Sequence, residues 1–292
     1  MGSLRLLSGI WGSMEDNLNC SIIISVYKDT KSLDLILESL ANQTIIPNEI
    51  VISEDGDSSE MRDYIKIAKE KYKNLDITHL FQEDKGWRKN IALNRAILAS
   101  KYEYLIFIDG DCVPFDDFIE NHTQQASKKI VLAGKRVELG ESVTKEIYSK
   151  KLTVSRLTKN YWLYAIKLIR DKTRHLEDIL HVSYKSFLAP FIKKEVNYII
   201  GCNWSAFKED ILAINGFDET YTLPSVGEDV DLGWRFRGLG IELKSCRYNA
   251  NIVHLYHKKR FDSTQGVINN AILKKNFDAD KFFCDNGIIK KD

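Results

Sequence analysis

Asp109-Gly110-Asp111 sets two carboxylates on either side of a single glycine. Carboxylates that close repel each other unless a cation sits between or beside them. Hard oxygen ligands with open positions suit Mg²⁺ or Mn²⁺ carrying a phosphorylated substrate. Further acids cluster at Glu54-Asp55-Gly56-Asp57 and at Glu228, Asp229 and Asp231, and two histidines, His254 and His257, stand three residues apart. Each group also has a plainer explanation. An Asp-Gly turn accounts for an isolated Asp-Gly-Asp, and acids in the first turn of a helix favour its dipole without doing chemistry. Two histidines in one strand-like stretch would point to opposite faces, so at most one is expected to reach a given site.

The elements that carry these residues separate the two explanations. Tyr104–Ile108 is an apolar run of the kind found in a strand buried on both faces, and it ends in Asp109. Ser21–Val26 and Glu49–Ser53 are two earlier β-branched runs, the second also ending in acids, and a shorter one follows around Ile77–Phe81. Between them lie helical spacings: Leu33, Leu37 and Leu40, capped by Asp29 or Thr30; Met61 to about Tyr72; and Ile91 to Leu98. Strand alternating with helix predicts an α/β fold with a doubly wound, mostly parallel sheet. An open sheet of this kind places its ligand beyond the C-terminal ends of its strands, where the acids lie. No GxGxxG and no Gly-rich loop ending in Gly-Lys-Ser/Thr occurs, so any phosphate would be held by metal and side chains.

Later stretches are less regular. Phe115–Ser127 reads as helix and Ile130–Gly134 as strand, and residues 141–194 are basic, aromatic and mixed. Tyr198–Phe207 reads as strand, followed by a helix from Lys208 and a further helix opening at Glu228. A formal net charge of +1 gives no reason to expect nucleic-acid binding. Five scattered cysteines without a CxxC pair indicate neither a zinc site nor a disulfide framework, and suit a reducing compartment. No apolar run reaches the ~18 residues of a membrane span. Residues 1–14, with Gly-Ser twice beside a Met, read as an added leader.

Together these pieces resemble the family 2 glycosyltransferases of the nucleotide-diphosphosugar transferase (GT-A) fold, over about residues 20–260. The marks are Ser21–Tyr27, Ile50–Ser58, Gly86–Ile97, the Asp109-Gly110-Asp111 of a DxD motif, and Gly227–Asp231. Ser205–Asp218 followed by Gly227-Glu228-Asp229 is similar to the galactosyltransferase C-terminal module and to chondroitin-polymerase-like enzymes. The resemblance implies a UDP-sugar donor, Mn²⁺ or Mg²⁺, and a glycan or lipid-linked glycan acceptor. Ser25 and Tyr27 would line the uridine pocket, Asp55 would accept the uracil N–H, and Arg88 would contact the base or diphosphate. Asp109 would hold the ribose or the metal-side phosphate and stand with Asp111 among the metal ligands. Asp111 would bind the metal, completed by His254 or, in its place, His257. Asp229 would be the base that activates the acceptor hydroxyl, with Glu228 on sugar hydroxyls. Trp204 offers a stacking face for a sugar ring, and Asn203 and His257 are the other acceptor-side candidates. Base-assisted displacement would invert the anomeric centre.

Two departures stand out. The second-strand acids read Glu-Asp-Gly-Asp-Ser where Asp-Asp-Gly-Ser is usual, which leaves an offset of one residue open, and Pro224-Ser225-Val226-Gly227 replaces a Trp-Gly-rich run. Gln-x-x-Arg-Trp, the mark of processive synthases, is absent, which favours one sugar per encounter. A nucleotidyltransferase would carry a basic Gly-rich loop after the first strand, and Val26–Asp29 offers none; a non-catalytic binding module would not need Asp229. The expected organisation is a GT-A domain over 15–262, with a nucleotide half at 15–115, an acceptor and catalytic half at 116–262 containing a helical insertion at about 141–194, and a helical extension at 263–292. A cytoplasmic enzyme is expected, in contact with the inner membrane face through 141–194 or Lys258–Arg260, with no nucleic-acid partner.

Overall fold

The computed structural model describes residues 18–187, 191, 198–224, 227–258 and 263–290. The expected leader and Lys259-Arg260 lie outside the described residues. Strands β1 (Cys20–Val26), β2 (Glu49–Glu54), β3 (Ile77–Phe81) and β4 (Tyr104–Asp109) alternate with helices α1 (Thr30–Ala41), α2 (Ser59–Lys71) and α3 (Lys89–Ala99). The α1 start is fixed by Asp29, whose side chain accepts from the Ser32 N–H at 3.0 Å. After β4 come β5 (Cys112–Pro114), α4 (Phe118–Gln124), β6 (Ile130–Ala133) and β7 (Arg136–Glu138). Three helices follow within the segment expected to be helical: α5 (Glu141–Tyr148), α6 (Val154–Lys159) and α7 (Tyr161–Arg170). The chain continues through β8 (Asn203–Phe207), α8 (Lys208–Ala213), α9 (Glu228–Gly238), β9 (Glu242–Ser245), β10 (Ile252–His254) and α10 (Ser263–Asp278).

The principal sheet has seven strands in the order β3-β2-β1-β4-β8-β6-β9. The first four run parallel, as the alternating pattern predicts, whereas β8 is antiparallel to both β4 and β6. Period-two geometry splits the apolar strands between two cores. Ile22, Ile24, Ile50, Ile52, Ile106 and Ile108 face the helices α1 and α2. Ile23, Val51, Leu105 and Phe107 face α3 and α9. Each fully buried side chain of this kind contributes about 1.5–3 kcal/mol. That burial makes the central strands a rigid base for whatever their tips carry.

A second sheet, β5-β10-β7, stands beside the first. Asp109 therefore ends a strand of the large sheet, while Asp111 immediately precedes a strand of the small one. Gly110 makes this junction. Its N–H donates to the Ser25 carbonyl at 2.7 Å, and a Cβ there would lie 2.8 Å from the same oxygen and 2.9 Å from Val26. Only glycine lets the backbone pass this close to β1.

Candidate active site

Beyond the ends of β1, β2 and β4 lies a cavity of about 410 Å³, lined among others by Ser25, Tyr27, Asp55, Lys89, Asp109 and Asp111. Asp55 is buried and accepts from Gln82 Nε2 at 2.7 Å and from the Arg88 backbone N–H at 2.6 Å. Glu54, one residue earlier, is fully buried and paired with His79 Nε2 at 2.9 Å. The offset left open by the sequence thus falls on Asp55 as the acid that reaches the cavity. The Tyr27 ring is exposed, and its hydroxyl donates to Asp84 Oδ2 at 3.2 Å.

His254 Nε2 and His257 Nε2 lie 3.5 and 3.1 Å from Asp111 Oδ2, and one ligand atom from each of the three falls within 4.8 Å of the others. The expectation that only one histidine reaches the site fails because β10 ends at His254. The chain leaves the strand before His257, so alternation no longer separates the two rings. Burial raises the Asp111 carboxyl, but the His257 hydrogen bond and the His254 charge outweigh it and hold the acid well below its ordinary range. A carboxylate converging with two imidazoles fits a divalent cation. Asp109 does not join this cluster. Its Oδ1 is held by Lys89 Nζ at 2.7 Å, so its expected role as a metal ligand gives way to an ion pair. A second acid–histidine group, His175, Glu177 and Asp178, already has a cation, since Arg247 pairs with both carboxylates.

Lys89 is the residue that sequence reasoning missed. Arg88, expected to reach the donor, turns its guanidinium to the Glu83 carbonyl and meets the site only through its backbone N–H. Arg88 is the N-cap of α3 and Lys89 the helix's first residue, and the turn between them brings the lysine rather than the arginine to the cavity. Two adjacent basic residues at a helix start were the available signal. Burial pulls the Lys89 ammonium down, but the charges of Asp109 and Asp229 outweigh it and keep it protonated.

Glu228 and Asp229 open α9, where the helix dipole favours negative charge. Asp229 Oδ2 accepts from the Gly201 N–H at 2.8 Å, and a Cβ on Gly201 would lie 2.6 Å from Asp229 Oδ1. Burial raises Asp229 above the ordinary carboxylate range, restrained by Lys89 and by the Gly201 N–H. Burial and the neighbouring Asp229 push Glu228 up to about 8. Its Oε2 is buried and, among the described residues, lacks a hydrogen-bond partner. Such an orphaned oxygen costs free energy until a donor reaches it.

Two expected acceptor contacts are core residues instead. Trp204 is fully buried and stacks on Phe107 with ring centroids 4.0 Å apart. The antiparallel register sets Trp204 directly opposite Phe107 on one face of the sheet, so its ring completes the α3/α9 core and presents no sugar platform. Asn203, on the other face, is also fully buried. Its Nδ2 donates to the carbonyls of Lys135 and Ala250, both at 2.8 Å, and its Oδ1 lies 3.2 Å from His122 Nε2. These bonds occupy both Nδ2 protons and engage Oδ1 within the protein.

A mostly parallel sheet, acids at its strand tips and helices on both faces define a glycosyltransferase of the GT-A fold. The chain belongs to glycosyl transferase family 2, whose model matches residues 21–208. A second model, described as the N-terminal domain of galactosyltransferase, matches residues 183–258. The chain is similar to validoxylamine A glucosyltransferase of Streptomyces hygroscopicus subsp. limoneus, 26% identical over 80% of this chain and 51% of the relative. It is also similar to chondroitin synthase of Pasteurella multocida, 25% identical over 77% of this chain and 23% of that enzyme. The chain thus spans about half the length of the first relative and under a quarter of the second. Among solved structures, GalNAc-T7 with UDP, GalNAc and Mn²⁺ superposes with a TM-score of 0.62 at 12% identity, covering 89% of this chain and 48% of that one. The mannosyltransferase PcManGT of Pyrobaculum calidifontis, in complex with GDP-Man and Mn²⁺, gives 0.52 at 13% identity, covering 83% and 58%.

Proposed function

We propose that this enzyme moves a hexose from a UDP-sugar to a hydroxyl of a glycan acceptor with inversion, using Mn²⁺, in the synthesis of a bacterial surface polysaccharide. The observation that carries the reading is the convergence of Asp111, His254 and His257 at the edge of the strand-tip cavity. The UDP and Mn²⁺ of the GalNAc-T7 structure support the donor and the metal. In this reading the uridine rests among Ser25, Tyr27 and Asp55, and Asp109, held by Lys89, faces the ribose and diphosphate. When bound by Asp111, His254 and His257, the cation supplies positive charge to the departing diphosphate.

Asp229 takes the proton of the acceptor hydroxyl as that oxygen bonds to the anomeric carbon and the bond to UDP breaks. The raised carboxyl makes Asp229 a better base than an ordinary aspartate, and the Gly201 N–H fixes its direction. Glu228 retains its proton near neutrality and donates it in a hydrogen bond to a sugar hydroxyl. Among the described residues no helix is long and apolar enough to cross a membrane. We place the enzyme in the cytoplasm, working on glycan precursors, including lipid-linked ones, at the inner membrane face. The test is a thermal-shift series with UDP, other nucleotides and nucleotide sugars, each with Mn²⁺, Mg²⁺ or chelator. A metal-dependent rise with UDP is expected by mass action. No shift with any nucleotide would overturn the assignment.

A further inference from the structure

Helix α7 is apolar on nearly all sides. Tyr161, Tyr164 and Leu168 turn inward and pack on the core beneath the principal sheet. Trp162, Leu163, Ile166 and Ile169 turn outward, 76, 81, 68 and 64% exposed. At 100° per residue these four form one stripe along the helix. A helix apolar all round is normally covered on every side, and a contiguous exposed patch of this kind marks a contact surface.

The chemistry around the stripe selects what covers it. Between residues 149 and 175 the chain has eight Lys and Arg and a single acid, Asp171, and four of those cations, Lys150, Lys159, Lys167 and Arg174, pair with acids from outside the segment. Asp171 faces inward, accepting the N–H groups of Ser142 and Val143 at 2.9 and 2.8 Å as a cap on α5. Arg156, Arg170 and Lys172 remain exposed in the same segment. A second copy docking through this face would bring the two sets of cations together. An anionic bilayer surface instead receives Trp, Leu and Ile at the acyl boundary and Lys and Arg among its phosphates.

We propose that the outer face of α7 seats this enzyme on a membrane rich in anionic lipid, the helix lying in the plane of the interface. The proposal gives the membrane contact suggested above a definite surface, but rests on different residues from those of the donor site. After α7 the chain pairs with β7, Arg174 and Glu138 exchanging backbone bonds of 2.8 and 3.1 Å, and β7 pairs with β10, which ends in His254. The docking helix is therefore tied through one short strand to the strand that carries His254.

The test is co-sedimentation of the full chain with vesicles of phosphatidylcholine alone or mixed with phosphatidylglycerol, at low and high salt. Binding to the mixed vesicles, weakened by salt and absent on phosphatidylcholine, is expected. Ile166→Glu should lower the bound fraction's partition coefficient about tenfold, with the thermal midpoint and the UDP–Mn²⁺ shift unchanged. Bromine-labelled lipid should quench the wild-type tryptophan emission, and Trp162→Phe should remove the quenchable component. No vesicle binding, binding that Ile166→Glu leaves intact, or quenching that survives Trp162→Phe would each overturn the proposal. A dimer dissolved by Ile166→Glu, without vesicle binding, would assign the face to a second copy. Because the UDP–Mn²⁺ shift is read separately, failure here leaves the donor-site reading standing.

Discussion

The two sheets hold their polar groups in different ways. In the large sheet, Ser25, Asp55 and Asp109 lie at the tips of parallel strands, and period-two geometry with apolar burial decides where each points. In the small sheet and in the loops leading to α9, Asp111, His254, His257 and Asp229 are aimed by chain turns and close approaches, such as Gly201 against Asp229. The first arrangement is built from repeating local structure, so it tolerates change between anchor points. The second rests on single contacts and is correspondingly brittle.

The largest expected effect tests the brittle side. Asp229→Asn keeps the Gly201 hydrogen bond but removes the base, and should lower kcat about 10²–10⁴-fold while calorimetry finds UDP–Mn²⁺ affinity unchanged. A variant that turned over normally would remove Asp229 from the chemistry. Next, Trp204→Ala should cost about 3–5 kcal/mol in urea unfolding, whereas Trp204→Phe should keep the aromatic pair and leave the acceptor KM unchanged. A raised KM at unaltered stability would return Trp204 to the acceptor site.

These two variants also mark where sequence reasoning reaches its limit. The strands Ser21–Val26, Glu49–Ser53 and Tyr104–Ile108, and the acids at their ends, were legible because buried parallel strands are written as continuous apolar runs. Trp204 and Asn203 were misread because the face of β8 depends on its antiparallel register with β4, which no local pattern encodes. The histidines were misread because the end of β10 could not be located from three residues. Lys89 was passed over for Arg88, since the start of α3 decides which of two adjacent cations enters the cavity.

A smaller effect follows from that correction. Lys89→Met should weaken UDP binding about tenfold, of the order set by loss of a charged hydrogen bond, and shift the acidic limb of the kcat profile to higher pH, because Lys89 no longer restrains Asp229. Arg88→Met should leave that limb in place. The gentlest test uses Glu228, whose folded pKa of about 8 lies above the ordinary 4.5. Between those values the folded metal-free protein keeps a proton that the unfolded chain has released, so this group's contribution to stability falls as pH rises. Glu228→Gln should remove that slope, at most about 1.4 kcal/mol per pH unit, in denaturant midpoints measured from pH 5 to 8. Parallel wild-type and variant curves would return Glu228 to the ordinary range.

Helix α9 is completed from far down the chain. Within it, Arg235 and Asp231 form a fully buried pair at 2.6 Å, and Asn276 Nδ2 reaches Asp231 Oδ1 at 3.2 Å across 45 positions of sequence. The Cys284 and Ile289 carbonyls both accept from Asn215 Nδ2 at 2.7 Å, in the loop that the Arg235 guanidinium also grips through the Ile214 and Gly216 carbonyls. At ribosomal rates of about 5–20 residues per second, those 45 positions represent about 2–9 s of synthesis. During that interval a nascent chain can already have made its nucleotide pocket, but the helix bearing Asp229 still lacks the Asn276 amide that donates to Asp231 Oδ1. The strand-tip cavity and helix α9 therefore mature at different moments in the life of a single polypeptide.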